Sequence, residues 1–503
     1  MKPRALVIWL VVTVAAGVWL PGLRAQEPAG DKGTSVSAVE RKNRAPVNKE
    51  ILRVQLPEPK EIKLANGLAV LVLERHELPT VNLVLWVETG ALADPKDLPG
   101  LATFTAEMLR EGTTRRSSAQ LAAEVDDTGA TLSSSADFGS SVSTVAASGL
   151  VDSLGKIIDL MSDVVLNPTF PPEELEKYKK RQLAELEQER SEPDFLSRGR
   201  FFQVLYRDFP AAVISPTPES VKQVTTDQLK RFHEQYYVPN NALLGVAGDV
   251  TPEQLQPLLE KYIGGWKNRP VTQPNLSVLP PPAAKKIYLV NRPTSVQANI
   301  VAGDYAVRRA DPDYIPLFVM NRILGGGATG RLFLNLREAK GYTYGAYSYF
   351  TADIYRGPWM ASTEVRNAVT DGAMHELMAE LQRIRSEPVP ENELDDARRA
   401  IVANFALSLE QPATLLRYAM TVKYYGLPED YYNRFPEEVA KVTPAVVQRV
   451  AQKYVDLDHL QVVCVGDGSQ IKTALEKYGP VEVYDTEGKP VVEKATATGK
   501  SGR

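Results

Sequence analysis

The sequence predicts an α+β protein made of two homologous halves in tandem, joined by a proline-rich linker. Three observations carry this expectation. The segment VTTDQLKRFHEQYYVPNNALLGVAGD at residues 224–249 is echoed by VTPAVVQRVAQKYVDLDHLQVVCVGD at residues 442–467. Thr225 pairs with Thr443, Tyr236 with Tyr454, Gly248 with Gly466 and Asp249 with Asp467, all at an offset of 218. Four matches at one offset indicate a duplicated unit. Each copy reads as a helix capped at threonine, a turn, and an apolar strand closing on Gly-Asp. Finally, Leu68–Leu73 and Val81–Val87 are β-rich runs, whereas Pro172–Arg190 has a helical pattern, so strands and long helices mix within one half.

The N-terminus reads as a secretory signal. Lys2 and Arg4 form a charged start, Ala5–Leu20 is a short apolar run ended by Pro21 and Gly22, and Ala25 offers a cleavage point before Gln26. The run is too short to span a bilayer comfortably, so the expectation is export to the periplasm or outside, without stable membrane insertion after cleavage. Residues 26–50 are polar and charged and expected to be flexible, as is the tail at 487–503. The first half is placed at 51–268 and the second at 285–486. The linker RPVTQPNLSVLPPPAA at 269–284 has no helix or strand period.

Charge excludes one class of partner. Removing residues 1–25 takes three of the 58 basic residues and none of the 62 acidic ones, moving the formal charge from −4 to −7. No basic stripe remains to neutralise phosphates, which argues against nucleic acid. The only cysteine, Cys464, allows no intramolecular disulfide and sits in the apolar run Leu460–Val465, as a buried strand residue would.

The segment Leu98–Thr113 is helical in pattern, with Leu101, Phe104, Met108 and Leu109 on one apolar face. Its framework G-L-A-x-F-x-x-x-M-L-x-x-G-T, from Gly100 to Thr113, resembles the zinc-binding helix of the insulinase/pitrilysin peptidase family. That family carries H-x-x-E-H here: two imidazoles one turn apart hold Zn²⁺ and the glutamate between them acts as base for the metal-bound water. In this chain the three positions are Thr103, Ala106 and Glu107. The resemblance places a further ligand in QLAELEQE at 182–189, at Ala184 or Glu185. His76, His233, His375 and His459 show no ligand spacing, so this chain is expected to bind no metal.

The stretch LGGGATGRLFLNLREAKGYTYGAYSYF at 324–350 resembles a second hallmark, an arginine and a tyrosine seven residues apart supplied by the half without zinc; here they are Arg337 and Tyr344. A guanidinium or phenol in that place can donate to a developing oxyanion or fix the peptide's register. The resemblance sets Gly325, Gly326 and Gly327 beside the glycine-rich loop of non-catalytic processing-peptidase subunits, where it assists substrate entry. GATLSSSADFGSSVSTVAA, from Gly129, reads as an edge strand that could pair with an extended peptide, with Ser133 where the family usually has asparagine. No G-x-S-x-G elbow surrounds Ser133–Ser135, against a serine nucleophile.

The resemblance thus implies two α/β-sandwich halves, each a mixed sheet packed with helices. It further implies a zinc-less subunit that positions peptide substrate for an H-x-x-E-H-bearing paralogue, with zinc in the partner. The alternative is a purely structural or peptide-binding protein on the same fold.

Overall fold

The apolar runs of the sequence become strands of two six-stranded sheets. The computed structural model describes residues 51–276 and 278–491, all within one compact unit, Glu50–Arg503. In the first half the strands are β1 (Lys60–Lys63), β2 (Ala69–Glu74), β3 (Thr80–Val87), β4 (Thr131–Ser135), β5 (Ser143–Leu150) and β6 (Ala242–Gly248). Its helices are α1 (Leu101–Met108), α2 (Ser118–Thr128), α3 (Leu154–Leu166), α4 (Pro172–Glu189), α5 (Pro193–Tyr206), α6 (Pro218–Gln223), α7 (Thr226–Tyr236) and α8 (Pro252–Tyr262).

The second half repeats this list. Its strands are β7 (Lys286–Asn291), β8 (Gln297–Tyr305), β9 (Ala346–Phe350), β10 (Pro358–Arg366), β11 (Gln461–Gly466) and β12 (Val481–Tyr484). Its helices are α9 (Tyr314–Leu324), the short α10 (Arg331–Phe333) running into a π turn at Leu334–Ala339, α11 (Thr370–Ser386), α12 (Glu391–Ser408), α13 (Pro412–Tyr425), α14 (Phe435–Ala440), α15 (Pro444–Tyr454) and α16 (Gly468–Leu475). Between 266 and 285 the described residues form neither helix nor strand.

The sheet orders are β1-β2-β6-β3-β5-β4 and β12-β7-β11-β8-β10-β9. In both, the strand that closes the repeat runs parallel to the strand that opens it: Ala69 lies opposite Leu243, and Lys286 opposite Gln461. The repeated residues hold equivalent places. Thr225 and Thr443 cap α7 and α15 by accepting from Gln228 N and Val446 N, and Gly248 and Gly466 end β6 and β11. Only the outer strands β1 and β12 differ, β1 pairing antiparallel and β12 parallel. Cys464 is buried in β11 as its apolar run predicts.

The halves exchange a helix. α5 of the first half lies on the second sheet, where Phe201, Leu205 and Tyr206 pack with Tyr288, Val290, Val301, Tyr305 and Val463. α13 of the second half lies on the first sheet, where Leu415, Leu416 and Met420 pack with Leu71, Leu73, Leu243 and Ala247. A mid-strand glycine receives each helix. A Cβ on Gly245 would stand 2.6 Å from Met420 Sδ and 2.7 Å from Leu416 Cδ1, and one on Gly303 would stand 2.8 Å from Phe201 Cζ. Gly245→Val is therefore expected to lower stability by about 1–3 kcal/mol through overpacking. Leu416→Ala should cost less in that variant than in wild type in urea unfolding, because it clears part of the space the valine needs. Strict additivity of the two changes would mean that α13 does not seat on Gly245 as described.

Candidate functional site

The helix that carries zinc in the resembling family is fixed at both ends. At its start, Asp94 accepts from Gly100 N at 2.6 Å and from Ala102 N at 2.8 Å, satisfying donors that a helix N-terminus leaves free. The helix is shorter than the pattern at 98–113 predicts, because the chain leaves α1 at Met108 and turns through Gly112, whose φ of 142° suits glycine alone. Thr113 fastens that turn: its hydroxyl donates to Asp163 at 2.7 Å and accepts from Arg115 N and Arg116 N. Arg115, half exposed, and Arg116, largely buried, complete a network with Asp159 and Asp163 on α3. Sequence reasoning missed these carboxylates, although two arginines directly after the framework were a visible signal.

At the positions where the resembling family holds zinc, Thr103 Oγ1 donates to Ala136 O at 2.6 Å and Ala106 is fully buried. Glu107 Oε2 lies 3.4 Å from Arg110 Nη2, and burial pushes its carboxyl above the usual range against the pull of Arg110 and Arg181. The Tyr178 ring on α4 meets Phe104 edge-on at 4.8 Å, and burial followed by the charges of Glu107 and Glu185 raises its hydroxyl. Glu185 stands seven residues after Tyr178, on the same face of α4. These groups do not fit a zinc ion, which needs three ligands in fixed geometry. The hydroxyl is already donating, a methyl replaces the glutamate, and Arg110 pairs with the carboxylate of Glu107. Among the described residues no three or more His, Cys, Asp or Glu are grouped to hold a metal. His76 pairs with Asp249, His459 with Asp456, and His233 bonds to Val165 O.

β4 is the outer strand of its sheet, with Ser133 exposed and Ser134 buried against Ala106 O at 2.7 Å. Arg110 runs beside it, reaching Ser134 Oγ at 3.3 Å and Leu132 O at 3.5 Å. The segment read as one edge strand from Gly129 forms two strands, the outer β4 and the inner β5.

In the second half the equivalent outer strand, β9, is covered by the glycine segment. Gly325 O accepts from Ser348 N at 3.0 Å and Asn321 Nδ2 donates to Ser348 O at 3.1 Å. A Cβ on Gly325 would stand 2.4 Å from Ser348 N, so glycine is required there. Arg337 projects from the π turn with its guanidinium 4.7 Å over the Phe333 ring and 3.1 Å from Glu338, and is 44% exposed. Phe333 meets Tyr347 of β9 at 5.6 Å. Tyr344, on the turn entering β9, is 92% exposed. No hydrogen bond, ion pair or ring contact among the described residues joins either residue to Thr103, Ala106 or Glu107.

Residues 69–212 match the model of the insulinase peptidase family, M16, and residues 223–401 match that family's peptidase M16 inactive domain. The chain belongs to the M16 peptidase family. It is similar to the uncharacterized zinc protease YmxG of Bacillus subtilis, 23% identical over 69% of this chain and 83% of the relative. An uncharacterized zinc protease of Rickettsia bellii is 25% identical over 76% and 90%. The crystal structure of an M16 inactive domain from Pseudomonas fluorescens superposes with a TM-score of 0.75 at 26% identity, covering 81% of this chain and 98% of that one. A Helicobacter pylori protease shares the fold, with a TM-score of 0.74 at 18% identity over 82% and 100%. The chain is thus an inactive-type M16 protein related to zinc proteases.

Proposed function

We propose that this chain is the non-catalytic subunit of an exported zinc metallopeptidase, bringing Arg337 and Tyr344 to a paralogue that carries H-x-x-E-H. The observation that carries the reading is the exposure of Tyr344. A phenol 92% open to solvent buries almost no apolar area and stabilises nothing locally. Among the described residues Arg337 is likewise held only by a ring and an adjacent carboxylate. Both side chains are free to donate hydrogen bonds to a peptide carbonyl in a chamber closed by two subunits. Thr103, Ala106 and Glu107 are meanwhile committed to packing and pairing within their own half, so the metal and its water come from the partner.

Co-expression with an H-x-x-E-H paralogue from the same host should give a complex that hydrolyses unstructured peptides and is silenced by chelation. The present chain alone should show neither turnover nor stoichiometric zinc. A paralogue that binds this chain but cleaves equally well without it would end the proposal. The N-terminus of the mature protein is expected at Gln26. Among the described residues no helix is long and apolar enough to cross a membrane.

The second reading, a peptide-binding protein without catalysis, draws on the outer strand β4, whose exposed Ser133 lies beside Arg110. It predicts peptide affinity without any gain in the partner's rate.

A further inference from the structure

The internal repeat exposes a pocket that one half fills and the other leaves open. In the second half α11 runs 17 residues, and its last turn places Arg385 against the end of α15. Arg385 donates to the carbonyls of Gln452 and Val455, and its own carbonyl accepts from Gln448 and Gln452 at 3.2 and 3.1 Å. In the first half α3 has only 13 residues and ends at Leu166. The counterparts of Gln448, Gln452 and Val455, at the offset of 218, are Lys230, Glu234 and Tyr237. Where Arg385 would stand they line a pocket of about 540 Å³, flanked by residues 166–170 and by Gly265, Trp266, Lys267 and Arg269.

The pocket has an apolar wall and a charged mouth. Leu166, Phe170, Val238 and Trp266 form part of the wall, and the His233 ring stacks on Tyr237 at 4.9 Å and 27°. His233 Nε2 lies 2.7 Å from Val165 O. A carbonyl only accepts, so Nε2 carries the proton and Nδ1 is left as an acceptor. Burial first, then the charge of Arg269, lowers the imidazole to about 4, so it is neutral near pH 7. At the mouth stand Lys230, Lys267 and Arg269 against Glu234 alone. None of the three cations has a carboxylate partner among the described residues, and Arg269 Nη1 donates only to Glu234 O, at 3.2 Å.

We propose that this pocket binds a small aromatic anion, its ring against the apolar wall, its acidic head among Lys230, Lys267 and Arg269, and an N–H on His233 Nδ1. The proposal is independent of the partner subunit.

The test is calorimetric titration of the full chain with N-acetyl-tryptophan, with N-acetyl-tryptophanamide, and with phenyl phosphate. The acid should saturate and the amide should bind about tenfold or more weakly, the scale of one lost charge-assisted contact. Affinity should fall as salt rises. Lys230→Glu combined with Lys267→Glu, both at exposed positions, should abolish the preference for the acid. Tighter binding of phenyl phosphate than of the acid would identify the head as phosphate and support the same site. Equal affinity of acid and amide in the wild-type chain, saturation by neither acid nor phosphate, or indifference to the charge reversal would overturn the proposal.

Discussion

Arg337→Ala in the reconstituted two-subunit complex is expected to lower peptide turnover about 10²-fold or more, the scale of losing one oxyanion donor. The melting temperature should not move. The physical grounds for that separation are local. The guanidinium is 44% exposed and its ion pair with neighbouring Glu338 is solvated, and exposed pairs contribute little net stability. Its stacking over Phe333 adds no more than a partly wet cation–π contact. Tyr344→Phe sharpens the experiment, because it removes only a hydroxyl from a ring already 92% exposed. A fall in the rate constant at unchanged substrate affinity would mark a contact made in the transition state. Wild-type turnover in a complex carrying both substitutions would show that the pair takes no part in catalysis, and the peptide-binding reading would then be preferred.

Asp163→Ala should destabilise the chain by about 3–5 kcal/mol, the range for breaking a buried charge network from one side. The Asp163 carboxylate is fully buried and accepts from Thr113, Arg115, Arg116 and Asn167 at 2.7–3.0 Å. Its removal leaves Arg116, itself only 10% exposed at the side chain, short of a partner. Burial alone would raise the Asp163 carboxyl, yet these donors outweigh it and hold it below the usual range. A depressed carboxylate contributes stability above its unfolded value of about 3.9 and loses it as the pH falls through the folded value. Wild type should therefore lose stability below about pH 4 more steeply than Asp163→Ala. Urea unfolding of the two proteins from pH 7 to pH 3 measures both effects. A loss under about 1 kcal/mol at pH 7, the size of an exposed pair, would show that the network does not hold the turn after α1.

Much of this architecture was legible because duplication leaves a fixed offset. The pairs Thr225/Thr443 and Gly248/Gly466 mark a cap and a strand end in both halves. The framework around Thr103 was legible for a different reason. Gly112 and Thr113 are dictated by the turn after α1, not by the metal, so they can remain where the imidazoles are gone. Other features were hidden. Periodicity gives a helix its apolar face but not the surface that face will meet, so nothing in Phe201 or Leu416 announced that α5 and α13 would cross to the opposite sheet. The pocket beside His233 arises from a missing helical turn, which shows only when α3 is laid against α11.

The crossing of α5 and α13 also sets the order in which the polypeptide can mature during synthesis. When the first sheet is complete at Gly248, the surface around Leu71, Leu73 and Leu243 has no cover until Pro412–Tyr425 has been made. The apolar face of α5 must likewise wait for β7, β8 and β11, the last of them beginning at Gln461. A nascent chain halted between the halves would present both uncovered surfaces to its neighbours and to chaperones. Neither half, cut at the linker and expressed alone, should yield a well-behaved monomer, whereas the two fragments produced together should find each other and close.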